Sequence, residues 1–166
     1  AMLLLAVVAL CAGLAVAQPS ADAKARGQFN FYGRGARNAM RGARESTGSF
    51  REYIRSAPPA AAEIVRQQAG VVEQQPGHIV VSPQIAQAAA DEIGDYIMKS
   101  EKHLAWMRRQ AEARKDGETL RSLDAIDRNL AEAKRNHATL CGCCLEDDVD
   151  ARAAMTCCQV IDDALG

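Results

Sequence analysis

The stretch HATLCGCCLEDDVDARAAMTCCQ, residues 137–159, holds five of the chain's six cysteines together with a histidine and a methionine. His137, Cys141 and Cys144 are separated by four and then three residues, a spacing that lines them along one face of a helix. A second helix folding back after a turn near Leu145 or Glu146 sets Met155 opposite His137 and Cys158 about one turn further on. Imidazole and three thiolates suit tetrahedral Zn, whereas a mixture of imidazole, thiolate and thioether suits Cu(I). His137, Cys141, Cys144 and Cys158 are therefore the candidate metal ligands, with Met155, Cys143 and Cys157 as further donors within reach.

The same thiols support a different chemistry. In an oxidising compartment, Cys143 or Cys144 bridged to Cys157 or Cys158 closes a loop of about 15 residues, a constraint that contributes about 3 kcal/mol. A straight helix from about Asp147 opposes this, because it carries Cys157 about 15 Å along its axis, while bridged Cα atoms lie within about 7 Å. The five cysteines of this stretch are an odd number, which leaves one thiol over. Dithiol redox catalysis fits poorly: the C-x-x-C sits at a helix C-terminus, where a thiolate is disfavoured, and lacks the strand and helix setting of a thioredoxin-like fold. A weaker soft cluster, Met98, His103 and Met107 beside Trp106, has the spacing of core filler. No Ser/His/Asp set, phosphate loop or spaced carboxylate pair occurs, so the chain is read as a non-catalytic protein.

The elements that must position these groups are helices. Alanine and straight-chain residues dominate and aromatics make up only 4% of the chain, a composition that favours an all-α fold. Ser82-Pro83 starts a long helix, with a hydroxyl at the N-cap and proline at the first helical position. Ile85, Ala89, Ile93, Ile97, Leu104, Met107 and Ala111 then return at helical spacing to about Lys115, where Gly117 is suited to a left-handed cap. The next helix starts around Glu118, and so short a link makes the two antiparallel neighbours. It carries the clearest pattern in the chain: Leu123, Ile126, Leu130, Ala133, His137, Leu140 and Cys144 alternate at three and four residues, the seam of a coiled-coil-like helix. Beyond the acidic run Glu146-Asp147-Asp148, a last helix has its seam at Ala151, Ala154 or Met155, Cys158, Ile161 and Leu165. The expected architecture is an antiparallel three- to four-helix bundle or helical hairpin over residues 82–166.

Ahead of the bundle lie three other segments. Residues 1–17 form an uncharged apolar run that ends in Ala15-Val16-Ala17, the pattern of a secretory leader removed before Gln18, with nothing basic ahead of Met2. They imply a secreted or periplasmic protein with no transmembrane segment after cleavage. Residues 18–55 read as a basic Gly/Arg-rich arm, a flexible solvated tail or a helix. Arg34, Arg37, Arg41, Arg44, Arg51 and Arg55 keep one heptad phase and offer a contact stripe to an acidic protein or an anionic surface; export argues against nucleic acid. Residues 56–81 combine a short helix from Ser56 to Ala69 with a connector, and Pro76-Gly77 allows a small β-hairpin over 71–81. From Lys24 to Arg55 the net charge is +6, and from Leu145 to Gly166 it is -5, so the two ends of the chain can attract each other or different partners.

Overall fold

The structure, a computed structural model, describes residues 20–57, 81–144 and 149–166. The leader, nearly all of the connecting segment and the acidic run of residues 146–148 lie outside them, and with them the short helix and the hairpin expected between Ser56 and Val81. Four helices account for 92% of the described residues, with no strands among them: α1 (Ala21–Ser56), α2 (Pro83–Ala113), α3 (Gly117–Cys144) and α4 (Ala151–Leu165). The chain divides into two units, Ala1–Phe31 and Tyr32–Gly166. In the first, the described residues are the opening turns of α1, where the Ser20 hydroxyl accepts a hydrogen bond from the Ala23 amide at 3.2 Å. The second is the helical bundle.

Within the bundle, contacts between successive helices give the topology. Tyr96 and His103 of α2 lie against Gly42 and Gly35 of α1. His137 of α3 reaches Ala90 of α2, and Lys134 of α3 pairs with Glu101. Asp162 of α4 pairs with both Arg44 and Arg51 of α1. As the residue number rises on one partner it falls on the other, so each neighbour is antiparallel. The four helices form an up-down-up-down ring around a core that includes Ile54, Ile93, Leu140, Cys158 and Ile161.

The segment expected as an arm is where the sequence reading needs most revision. Of its two alternatives the helix is the one present, and a solvated tail is ruled out from Gly33 to Ile54 because one face is buried. Gly33, Ala36, Ala39, Gly42, Ala43, Thr47, Phe50 and Ile54 make up that face. Glycine at Gly42 is needed for close approach: a Cβ there would stand 2.5 Å from the Tyr96 ring, well inside van der Waals contact. Small residues that look flexible by composition thus serve as a packing seam. Gly48, by contrast, has nothing within 4 Å of a Cβ.

Helix boundaries follow from local chemistry, with three departures from expectation. Ser82 precedes α2, but its hydroxyl makes no cap bond and is engaged with Gln84; its amide donates instead to the Tyr53 hydroxyl of α1. The left-handed residue between α2 and α3 is Lys115, at φ 56, while Gly117 already opens α3. Asp116 caps that helix, its two carboxylate oxygens accepting from the Thr119 amide and hydroxyl at 3.0 and 2.6 Å, and these bonds hold its carboxyl below the usual range. The third departure is α4, which begins at Ala151 after an Asp150 cap that accepts from the Ala153 amide at 2.9 Å. That is four residues later than the acidic run suggested. The apolar seams of α3 and α4 are buried or half-buried as expected, whereas α2 turns Ala86 and Ala90 inward and leaves Ile85 exposed.

Candidate thiol site at the α3–α4 hairpin

The late start of α4 decides which sulfurs meet. With Ala151 as its first residue, Cys157 lies about 9 Å along the helix, not about 15 Å, and Cys143 adds to the rise of its thiol after burial. The register expected from a turn at Leu145 or Glu146, with Met155 opposite His137, assumed a helix that starts near Asp147, four residues before the observed start at Ala151. Met155 packs half-buried against the core instead.

The expected four-ligand layer of His137, Cys141, Cys144 and Cys158 is accordingly not assembled, and among the described residues no group of three or more His, Cys, Asp or Glu is placed to hold a metal ion. His137 and Cys141 form one pair, with Cys141 Sγ 3.5 Å from His137 Nε2. That nitrogen lies 2.8 Å from the Ala90 carbonyl oxygen. A carbonyl can only accept, so Nε2 carries the proton and donates it. A metal at Nε2 would need to displace this proton and leave Ala90 O without its partner. The ring also rests on Gly94, where a Cβ would stand 2.7 Å from it. His137 thus ties α3 to α2.

The other cysteines gather at the hairpin. None of the five described cysteines is in a disulfide. Cys144, Cys157 and Cys158 are buried, while Cys141 and Cys143 are half-buried. Burial pushes the Cys144 thiol up to about 11, with further contributions from Cys143, Cys141 and Cys157. Cys158, with 0% of its surface exposed, is pushed up to about 12, again mainly by burial, with Cys157 adding to the rise and Arg51 opposing it. Cys157 is raised by burial and then by Cys143, and Cys141 by burial and then by Asp91. Thiols held protonated in this way are poor nucleophiles, with burial as the leading cause.

The arginine stripe divides into two groups. Arg44 Nε donates to Asp162 Oδ1 at 2.8 Å, and Arg51 donates to Asp162 Oδ2 at 3.1 Å and to Gln159. The Arg51 side chain is only 15% exposed. These two belong to the bundle, where the basic and acidic ends of the chain meet. Arg34, Arg37, Arg41 and Arg55 are exposed, and of these Arg41 has a long solvent-exposed ion pair with Glu45 at 3.8 Å, of little energetic weight. In the second soft cluster, His103 and Met107 pack on Gly35 and Gly33, Trp106 stacks on Tyr32 with centroids 4.0 Å apart, and Met98 points outward, 46% exposed. Packing accounts for these contacts.

Among the described residues no helix is long and apolar enough to cross a membrane. Comparison with family models, with curated proteins and with solved structures finds no match.

A bridge from Cys143 or Cys144 to Cys157 or Cys158 stands open in the sequence, opposed by helix length if α4 starts near Asp147. Cys143 and Cys157 fall outside the heptad seams, and the signal that could have restored them was Asp150, an N-cap residue three positions before the amide it accepts from.

Proposed function

We propose that this protein is an exported, non-catalytic structural or interaction module whose α3–α4 hairpin is stapled by a disulfide between Cys143 and Cys157, with the exposed Arg34, Arg37 and Arg41 face of α1 as its contact surface for an acidic partner. What supports this reading is the start of α4 at Ala151, which brings Cys157 back toward the end of α3 where Cys143 lies, together with the part Cys143 plays in raising the Cys157 thiol. Oxidation proceeds by exchange with a disulfide donor: both thiols lose their protons, one sulfur–sulfur bond forms between them, and the donor leaves as two thiols. The bridge closes a loop of about 15 residues and contributes about 3 kcal/mol. Cys141, Cys144 and Cys158 are the thiols left reduced, the last two buried and held protonated.

Peptide mapping of never-reduced protein, recovered from an oxidising compartment and alkylated before digestion, tests this reading. The expected product is one cross-linked species joining the Cys143 and Cys157 peptides, with Cys141 alkylated. Recovery of Cys143 and Cys157 both in alkylated form would sink the staple.

A further inference from the structure

We propose that the outer face shared by α1 and α2 is a docking surface for an anionic lipid bilayer, held there by Arg34, Arg37 and Arg41 of α1 together with Lys99, Lys102 and Arg109 of α2. The inference deepens the contact surface proposed above. It rests on the exposed arginine face and not on the staple, adds the α2 half of the surface and names the partner.

Both helices are basic along the stretch where they pack. No acid occurs on α1 between Asp22 and Glu45, and Glu101 is the one acid of α2 between Lys99 and Arg109. Packing then sorts the side chains of α2. Tyr96 and His103 turn to Gly42 and Gly35 of α1, while Glu101 and Arg108 turn to α3, where they pair with Lys134 and with Asp124 and Asp127. Met98, Lys102 and Arg109 share the remaining, outer side of the helix, and all three are exposed. Lys99 stands at the seam: its Nζ is 5.1 Å from the centroid of the Tyr96 ring, the ring that covers Gly42 beside Arg41. The cations thus lie on two adjacent antiparallel helices, spread over about 10 Å along α1 and about 15 Å along α2. Arg34, Arg37, Lys99, Lys102 and Arg109 make no ion pair among the described residues, and α3 takes up the one acid among the α2 cations.

The poverty of apolar surface selects the partner. A stable protein interface is built around buried apolar and aromatic anchors with charge kept to its rim. Among the described residues of the bundle, the exposed large apolar side chains are Ile85 and Met98, and Met98 alone stands among these cations. An anionic leaflet needs no such anchor: basic residues near its surface each strengthen binding about fivefold, and long Lys and Arg side chains reach the headgroups while Met98 enters the interface between them.

Co-sedimentation of the protein with vesicles of equal parts phosphatidylcholine and phosphatidylglycerol, and with vesicles of phosphatidylcholine alone, tests the proposal. Binding is expected to the anionic vesicles only, and it weakens as salt rises through about 0.1 M, where charges are screened beyond about 10 Å. Lys102→Gln with Arg109→Gln lowers binding at least tenfold. Arg128→Gln with Arg135→Gln, which removes the same charge from exposed positions of α3, leaves it within about twofold. Equal losses from the two pairs, or equal binding to both vesicles, overturn the proposal. Retention on immobilised polyglutamate without binding to anionic vesicles overturns the lipid assignment and leaves the arginine face standing for an acidic protein. Binding that survives Lys102→Gln with Arg109→Gln, yet is lost when Arg34, Arg37 and Arg41 all become glutamine, overturns the α2 half alone. Anionic-vesicle binding and polyglutamate retention that both survive the triple arginine change overturn the arginine face as well.

Discussion

At the scale of single residues, the hairpin cysteines differ in burial, and burial sets their chemistry. Cys144 and Cys158 are pushed up to about 11 and about 12, above the ordinary thiol value near 8.5 that they regain on unfolding. A thiol that holds its proton more tightly in the folded state adds stability below its unfolded pKa and loses that contribution as pH rises through the folded one. The thermal midpoint of the reduced protein should therefore fall from about pH 8.5 upward. The decline should be shallower in Cys158→Ala, although that variant starts lower at pH 7. A midpoint that stays flat from about pH 8 to about pH 10.5 would contradict the burial of these thiols. His137 shows why residue identity alone misleads. Its heptad phase correctly turned it inward, but nothing in the spacing revealed that Ala90 O would take its proton.

At the scale of helices, the seams of α3 and α4 were legible because leucine, isoleucine and alanine recur there at three and four residues with few competing signals. The packed face of α1 was hidden by its composition. Gly33, Ala36, Ala39, Gly42 and Ala43 have the same periodicity, yet glycine lowers helix propensity and reads as flexibility unless a close neighbour explains it. The neighbours are Met107, His103 and Tyr96, and they lie more than 50 residues away in sequence. Two substitutions separate the explanations. Gly42→Ala forces a methyl group into the Tyr96 ring and should cost about 1–3 kcal/mol from overpacking. Gly48→Ala meets nothing and should stabilise by about 0.5–1 kcal/mol through helix propensity. Both are read from urea unfolding. If Gly42→Ala stabilised as much as Gly48→Ala, α1 would not be packed against α2 as described.

At the scale of the whole bundle, α4 is held at both flanks, by α3 through apolar seams, and by α1 through Asp162. Charge asymmetry between the two ends of the chain was visible in the sequence; which charges meet was not, since Asp163 and Asp162 are adjacent and only Asp162 faces both arginines. Asp162→Asn should destabilise the protein by about 2 kcal/mol, the weight of hydrogen bonds to charged groups, and Arg51→Gln by a similar amount. Replacing Arg34, Arg37 and Arg41 together with glutamine should change stability by less than about 0.5 kcal/mol per site, because these side chains are exposed. Equal losses from the two sets, measured by thermal unfolding, would remove the distinction between structural and contact arginines.

The proposed hairpin staple is tested most directly by its energetic consequence. Urea unfolding of the oxidised and the fully reduced protein should differ by about 3 kcal/mol in favour of the oxidised form, and the difference should vanish in both Cys143→Ser and Cys157→Ser. Equal stability of the two wild-type forms, or a gain on oxidation that persists without Cys157, would contradict it.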